Sequence, residues 1–372
     1  MKKILFLLPS LLQDGGAETQ TIELVNGIDP GRFEKHLFTY GEDLTRLHRI
    51  DREKVHFYNF ARRYKLDLFP VKKIAEVIDA EKIDIIHCTL EFSLLMGWLA
   101  RLISQRKPHL VTALHTTISR TKKEAVLNHL LYRYLLRVCE KIIFVCDNQR
   151  RYWLDRFPEL ENLSAVIHNG VDINDFDPES HVQEGVALRS DLGIPESSPV
   201  ISCLAGFRPK KGHSFLVEAF SRLNDDAFLL LAGDGQTRPE IEGLVKEKSI
   251  MDRVNFLGSV NTVKPVLSAS NVTVLASTSE SFSMSILESM AMNIPVVTTR
   301  VGGAEEIITE GKTGFVVEPA DIVGLADVLS QAVRHPEKLV QMGKGARKII
   351  KSRFTKETMI EKTEDLLGSV RV

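Results

Sequence analysis

"NVTVLASTSESFSMSILESMAMNIPVVTT", residues 271–299, reads as strand, helix and strand. "NVTVLAS" and "IPVVTT" are short apolar runs rich in Val, of strand length. Between them, "FSMSILESMAM" is apolar almost all round, as a helix buried on most sides must be. Ser281 or Ser283 can cap its start, Asn293 can end it, and Pro295 opens the next strand. Strands joined through a helix pair in parallel, by a right-handed crossover. Two acids stand alone here: Glu280 in the turn before the helix and Glu288 more than a turn inside it. A carboxylate accepts two hydrogen bonds side by side, which matches vicinal hydroxyls on a sugar or ribose. The competing reading is a surface helix residue and a helix-start acid favoured by the dipole. A buried Glu needs partners, and that favours ligand contact.

The same alternation fills the chain. In the first half the apolar runs lie at 3–8, 36–40, 54–58, 83–88, 109–114, 141–146 and 164–167. In the second they lie at 199–206, 227–233, 253–258, 271–277, 294–299 and 314–319. Runs of Val, Ile and Leu without alternation suit strands covered by helices on both faces. Each half therefore reads as its own doubly wound α/β domain with a parallel sheet. "HNGVDINDFDPESHVQEG" (168–185) has linker composition. The boundary is placed near residue 180, giving domains at 1–180 and 181–354. Residues 355–372 form an amphipathic helix, expected to pack back toward the first domain. Ligands of such sheets bind at the carboxyl ends of the strands, so two facing domains would leave the site in a cleft between them.

Composition excludes several classes. A chain of 372 residues with a net charge of -1 has no overall electrostatic footprint for nucleic acid. Cys88, Cys139, Cys146 and Cys203 form no C-x-x-C pair and sit in apolar stretches, which reads as reduced buried thiols in a cytoplasmic protein. "MKKILFLLPSLL" is interrupted by Pro9 and followed by "QDGGAE", so it reads as a buried first strand running into a glycine loop rather than a signal peptide.

Four further loops carry candidate chemistry. Gly15 and Gly16 precede a helix starting near Ala17, leaving bare backbone N–H groups for a phosphate; a tight turn without ligand is the equal alternative. "LAGFRPKKGH" (204–213) clusters Arg208, Lys210, Lys211 and His213 around Gly206 and Gly212. After a strand, that cluster suits a diphosphate better than it suits a solvated basic turn. "VGGAEE" (301–306) repeats the bare-backbone logic with Gly302 and Gly303, and "AGDGQ" (232–236) adds Asp234. Neither G-x-G-x-x-G nor a P-loop is present, which disfavours a nicotinamide dehydrogenase.

Taken in order, GGAE, HNGVD, FRPKKGH, AGDGQ, FLG, E-x7-E and VGG resemble the retaining glycosyltransferases of family 4, which have the GT-B fold. That fold has two Rossmann-like domains facing across a cleft. The match runs over nearly the whole chain and is strong from about 168 to 320. The resemblance implies that the second domain holds a nucleotide-sugar. Glu288 would take the ribose hydroxyls, and Glu280 those of the transferred sugar. Lys211 and Arg208 would neutralise the leaving diphosphate. Gly16 would donate a backbone N–H to the same phosphates, and Gly302 and Gly303 would bracket the sugar. Gly206, Ser281, Phe282, Ser283 and Asp234 join the donor-binding set, Gly15 and Glu18 the acceptor side. His115, in "TALHTT", resembles the family's active-site histidine. Metal-free chemistry is the expectation that goes with this resemblance, since basic side chains do what a cation otherwise would. Thr19 stands where the family often has Arg, and the basic loop is compact, which weakens the role of Arg208 relative to Lys211.

The expected reaction moves a hexose or N-acetylhexosamine, with retention, from a UDP-sugar to a hydroxyl acceptor. That acceptor would be a glycan or a lipid-linked molecule of lipopolysaccharide, exopolysaccharide or other cell-surface glycan synthesis. Residues 98–156 hold twelve Lys and Arg against four acids. "SRTKKEAVLNHLLYRYLLRV" (119–138) reads equally as a basic amphipathic helix for an anionic membrane and as a core-packed helix with a solvated face. A cytoplasmic protein, peripheral on the inner face of the plasma membrane, follows from the first reading. The alternatives are a nucleotide-sugar epimerase or a non-catalytic nucleotide-sugar sensor of the same architecture.

Overall fold

The computed structural model describes all residues except 13–14, 65–66, 116–130 and 224–225. The chain divides into two units, Met1–Asn169 with Lys356–Val372, and Gly170–Thr355. The change-over falls at Asn169–Gly170, ahead of the expected position near residue 180. The reason is Arg347, whose guanidinium donates to the carbonyls of Ile173 (3.1 Å), Phe176 (2.6 Å) and Ala291, binding the entering segment into the second unit. The ends of that unit meet: Val171 N donates to Phe354 O at 3.0 Å, in a bridge between Val171 and Thr355.

In the first unit the strands are β1 (Lys2–Leu8), β2 (Phe33–Thr39), β3 (Val55–Asn59), β4 (Ile85–Thr89), β5 (His109–Leu114), β6 (Lys141–Phe144) and β7 (Ser164–Val166). They form one sheet in the order β3-β2-β1-β4-β5-β6-β7, with all neighbours parallel. Ile4–Leu8 of β1 are wholly buried, as a central strand covered on both faces must be. The helix Lys356–Ser369 belongs to this unit. Its Met359 and Leu367, with Val370 beyond it, join the core of Ile4, Phe6 and Val25, and Glu364 accepts from Asp29 N at 2.6 Å.

The second unit has β8 (Val200–Leu204), β9 (Phe228–Ala232), β10 (Val254–Gly258), β11 (Val272–Leu275), β12 (Val296–Thr299) and β13 (Gly314–Val317). These form a second all-parallel sheet, β10-β9-β8-β11-β12-β13. Each sheet winds outward in both directions from its first strand. The winding reverses between β1 and β4, and again between β8 and β11, and at such a switch point the following loops part to leave a crevice.

All four cysteines are free and buried. Among the described residues no helix is long and apolar enough to cross a membrane. Most of the basic segment 119–138 lies outside the described residues. In the part described, the helix Arg133–Arg137 buries Leu135 and Leu136, and Arg133 and Arg137 both pair with Glu159 at 3.1 and 2.5 Å. There the core-packed reading holds, with Tyr134 left exposed.

Candidate functional site

The second unit's switch point gathers the loops that follow β8, β9, β11 and β12. After β8, residues Pro209–Lys211 make a short turn that ends at Gly212, with φ +67°. A Cβ on Gly212 would lie 1.9 Å from Ala276 O, so only glycine lets this turn press against the end of β11. Thr278 N donates to Lys210 O at 2.8 Å and completes the join. The join sets Lys211 beside Glu280. Lys211 Nζ lies 2.5 Å from Glu280 Oε1, and Ser277 Oγ donates to the same oxygen at 2.9 Å. Both charged side chains are mostly buried, at 19% and 14% exposure. A pair so placed is screened far less by solvent than an exposed one.

The loop after β12 closes the other side. Gly302 has φ +55°, and a Cβ there would lie 2.3 Å from Ser281 O and 2.6 Å from Glu280 O. Gly303 N donates to Ser281 O at 2.8 Å. Bare backbone thus packs on the turn that carries Glu280. Ser281 and Phe282 are buried in that turn, and the Phe282 ring lies 5.6 Å from Phe354. Ser283 is the N-cap of the helix Met284–Ala291, but its side chain makes no capping bond. The first turn is pinned instead by Ser285, whose Oγ donates to Leu204 O of β8 at 2.7 Å. Asn293 ends the turn in the left-handed region, φ 60°. Glu288 is half-buried on the helix, one turn beyond Ser285.

The loop after β9 meets the loop after β8 through Phe207 N, which donates to Asp234 O at 2.9 Å, beside half-buried Gly206. The Asp234 side chain is turned to its own loop. It accepts from Gly235 N (2.7 Å) and Arg238 (2.9 Å), and these hold its carboxyl below the usual range. Arg208 is exposed and forms no ion pair among the described residues.

His213 does not belong with the basic loop. It is buried at 3% exposure, its ring stacked on Phe207 at 4.2 Å, and burial pushes its imidazole down to about 4. The cluster therefore offers three cations, not four.

In the first unit, Gly15 caps the helix Gly16–Gly27. Glu18 is buried and folds back over Gly15, where an added Cβ would lie 1.9 Å from its Oε2. Gly16 is exposed. Thr19 donates to Gly15 O at 2.9 Å and accepts from Arg46, a guanidinium that no motif pointed to. His115 follows β5, half-buried, and desolvation holds it neutral at about 4. So the structure groups Lys211, Glu280, Gly206, Ser281, Phe282, Ser283, Gly302 and Gly303 in the second unit. Gly15, Gly16, Glu18 and His115 lie in the first.

His87 in β4 and His213 are both almost fully buried and both held at about 4. A histidine depressed in the fold binds its proton more readily once unfolded. Stability is therefore full above the unfolded value near 6.5 and falls as pH drops from about 6.5 to 4, by on the order of 3 kcal/mol per residue at the limit. Urea unfolding at pH 7 and pH 5 should show the loss, and His213→Phe should flatten it. Equal slopes for the variant and wild type would contradict the assignment.

Solved structures share this architecture along the whole chain. Anabaena HepE in complex with UDP-glucose superposes with a TM-score of 0.86 at 23% identity, covering 100% of both chains. WaaG, a glycosyltransferase involved in lipopolysaccharide biosynthesis, superposes at 0.77 and 16% identity, covering 99% of this chain and 100% of that one. Two doubly wound sheets with loops converging at each switch point make this a protein of the GT-B class. The family described as Glycosyltransferase Family 4 matches residues 14–175, and Glycosyl transferases group 1 matches 187–349. N-acetyl-alpha-D-glucosaminyl L-malate synthase of Bacillus anthracis is 31% identical over 308 residues, 82% of this chain and 79% of that protein. The lipopolysaccharide core biosynthesis glycosyltransferase LpsE of Rhizobium meliloti is 30% identical over 181 residues, 49% of this chain and 53% of that protein. The chain belongs to the group 1, family 4 glycosyltransferases.

Proposed function

We propose that this glycosyltransferase moves a hexose or N-acetylhexosamine, with retention and without a metal, from a UDP-sugar to a hydroxyl acceptor. The observation that carries the reading is the Lys211–Glu280 pair between the loops after β8 and β11. A diphosphate entering there competes for Lys211, assisted by Arg208, and releases the Glu280 carboxylate to the hydroxyls of the sugar. Glu288 takes the ribose hydroxyls. Charge growing on the departing phosphate is met by cations already in place, which is where most of the rate enhancement would arise. The departing phosphate then serves as base for an acceptor hydroxyl arriving on the same face. His115, held neutral by burial, can offer a hydrogen bond near the sugar without adding a charge that would repel the oxocarbenium-like centre.

The acceptor is assigned to the first unit, with Gly15 and Glu18 beside it. A glycan or lipid-linked acceptor of cell-surface glycan synthesis is supported by the names of LpsE and WaaG. The name of the Bacillus relative favours a second reading, a small hydroxy acid such as malate. UDP is supported by HepE, solved with UDP-glucose. A cytoplasmic enzyme docking on anionic membrane through residues 98–156 completes the proposal, and flotation with anionic vesicles at low salt tests that part.

Incubation with UDP-, GDP- and ADP-sugars should release nucleoside diphosphate from the UDP-sugar, faster when the acceptor is present. The product should keep the donor's anomeric configuration by NMR. An inverted product rejects the same-face mechanism. A new sugar-nucleotide without diphosphate release would mark an epimerase, and binding without turnover a sensor.

A further inference from the structure

Along β1, β2 and β3, one face of the sheet carries Lys3, Glu34, His36, His56 and Tyr58. The register pairs Lys3 with Glu34 and His36 with His56, so these side chains stand beside one another. His36 is wholly buried, and its ring stacks on that of solvent-facing His56 at 4.8 Å. One oxygen of Glu34 and one ring nitrogen each of His36 and His56 all lie within 4.8 Å of one another.

Proton counting shows a shortfall in this cluster. Glu34 Oε1 lies 3.0 Å from His36 Nε2, His36 Nδ1 lies 3.4 Å from Tyr58 Oη, and Tyr58 lies 3.2 Å from Glu81 Oε1. A neutral imidazole and a phenol bring two protons to these three contacts. If Tyr58 donates to Glu81 and His36 Nδ1–H donates to Tyr58, the Nε2 lone pair faces a carboxylate oxygen with nothing between them. The other tautomer moves the deficit to Tyr58, whose single proton cannot serve both His36 and Glu81. A cation between Nε2 and the carboxylate resolves the conflict. Lys3 Nζ, 2.8 Å from Glu34 Oε1, balances the carboxylate's charge but is part-exposed on a flexible stem and can withdraw.

We propose that Glu34, His36 and His56 bind one divalent transition-metal ion of the zinc type, clamping the edge strand β3 to β2. Two imidazoles and a carboxylate form a zinc ligand set that leaves a fourth position for water. The chain His36 Nδ1–H to Tyr58 to Glu81 then orients the buried ligand from behind, as outer-shell partners of metal-bound histidines do. His56 gives the ion its path from solvent. The three ligands lie within strands β2 and β3 and include no residue of the proposed reaction, so the role is structural and the proposal stands independently of that reaction.

The test uses the full chain without a histidine tag, stripped with chelator and titrated calorimetrically with Zn²⁺. One saturable equivalent is expected, with a raised Tm, because an ion bound only to the folded state stabilises it. Because His56 is exposed, His56→Ala should fold, and it should lose affinity by roughly tenfold or more with no Tm response to Zn²⁺. Glu34→Gln should behave likewise. The absence of a saturable equivalent, or a His56→Ala isotherm matching wild type, overturns the proposal.

Discussion

Lys211→Ala should lower kcat/KM by roughly 10²–10³-fold, the loss that follows removal of one preorganised group from a developing negative charge. Most of the loss should appear in kcat, because charge on the bridging phosphate oxygen grows only as the anomeric bond breaks. Lys211→Arg should recover little, since the turn ending at Gly212 fixes where the ammonium sits and the guanidinium fork is wider. The fold should tolerate the change, because Ser277 Oγ still donates to Glu280. Steady-state kinetics with a melting curve check both halves. A kcat within threefold of wild type would remove Lys211 from the chemistry and, with it, the proposed reading of the site.

Gly212→Ala is expected to damage fold and activity together. A side chain in the left-handed region costs about 1–2 kcal/mol, and relieving the overlap with Ala276 O costs roughly another 1–3 kcal/mol. Relief can come only by moving the Lys211 turn off the end of β11. Displacement of about an ångström at a catalytic group can cost on the order of 10²-fold in rate. Gly243→Ala is the matched control. It sits inside the helix Arg238–Glu247 with nothing within 4 Å of an added Cβ, and it should stabilise by about 0.5–1 kcal/mol. A Gly212→Ala protein with native urea midpoint and native kcat would contradict the steric account.

How much of this was legible in the sequence varied with the range of the cause. The thirteen strands of the described residues were legible as short apolar runs, most plainly the central β1 and β8, where burial on both faces leaves the run nearly uninterrupted. The glycines at 212 and 302 were visible as glycines, but their purpose was not. Each yields to a carbonyl from another loop, Ala276 O and Ser281 O, and no local pattern reports that approach. Glu280 stood out through its solitude, whereas its partnership with Lys211 spans sixty-nine positions and depends on the switch point between β8 and β11. His213 was misplaced among the cations although a sign was present. With Leu216, Val217 and Phe220 it falls on one helical face, and that face belongs to the core. Ser283 illustrates a weaker rule: a capping residue type occupied the cap position, yet the helix start is secured by Ser285 reaching Leu204 O.

The bridge between Val171 and Thr355 places entry and exit of the second unit side by side. In genetic terms this unit is a cassette set within the coding stretch of the first unit. Exchanging this unit between relatives therefore calls for two junctions, one at each end of the cassette. A single crossover would import a foreign final helix, whose counterparts of Met359 and Leu367 would then have to fit a first-unit interior they did not evolve with.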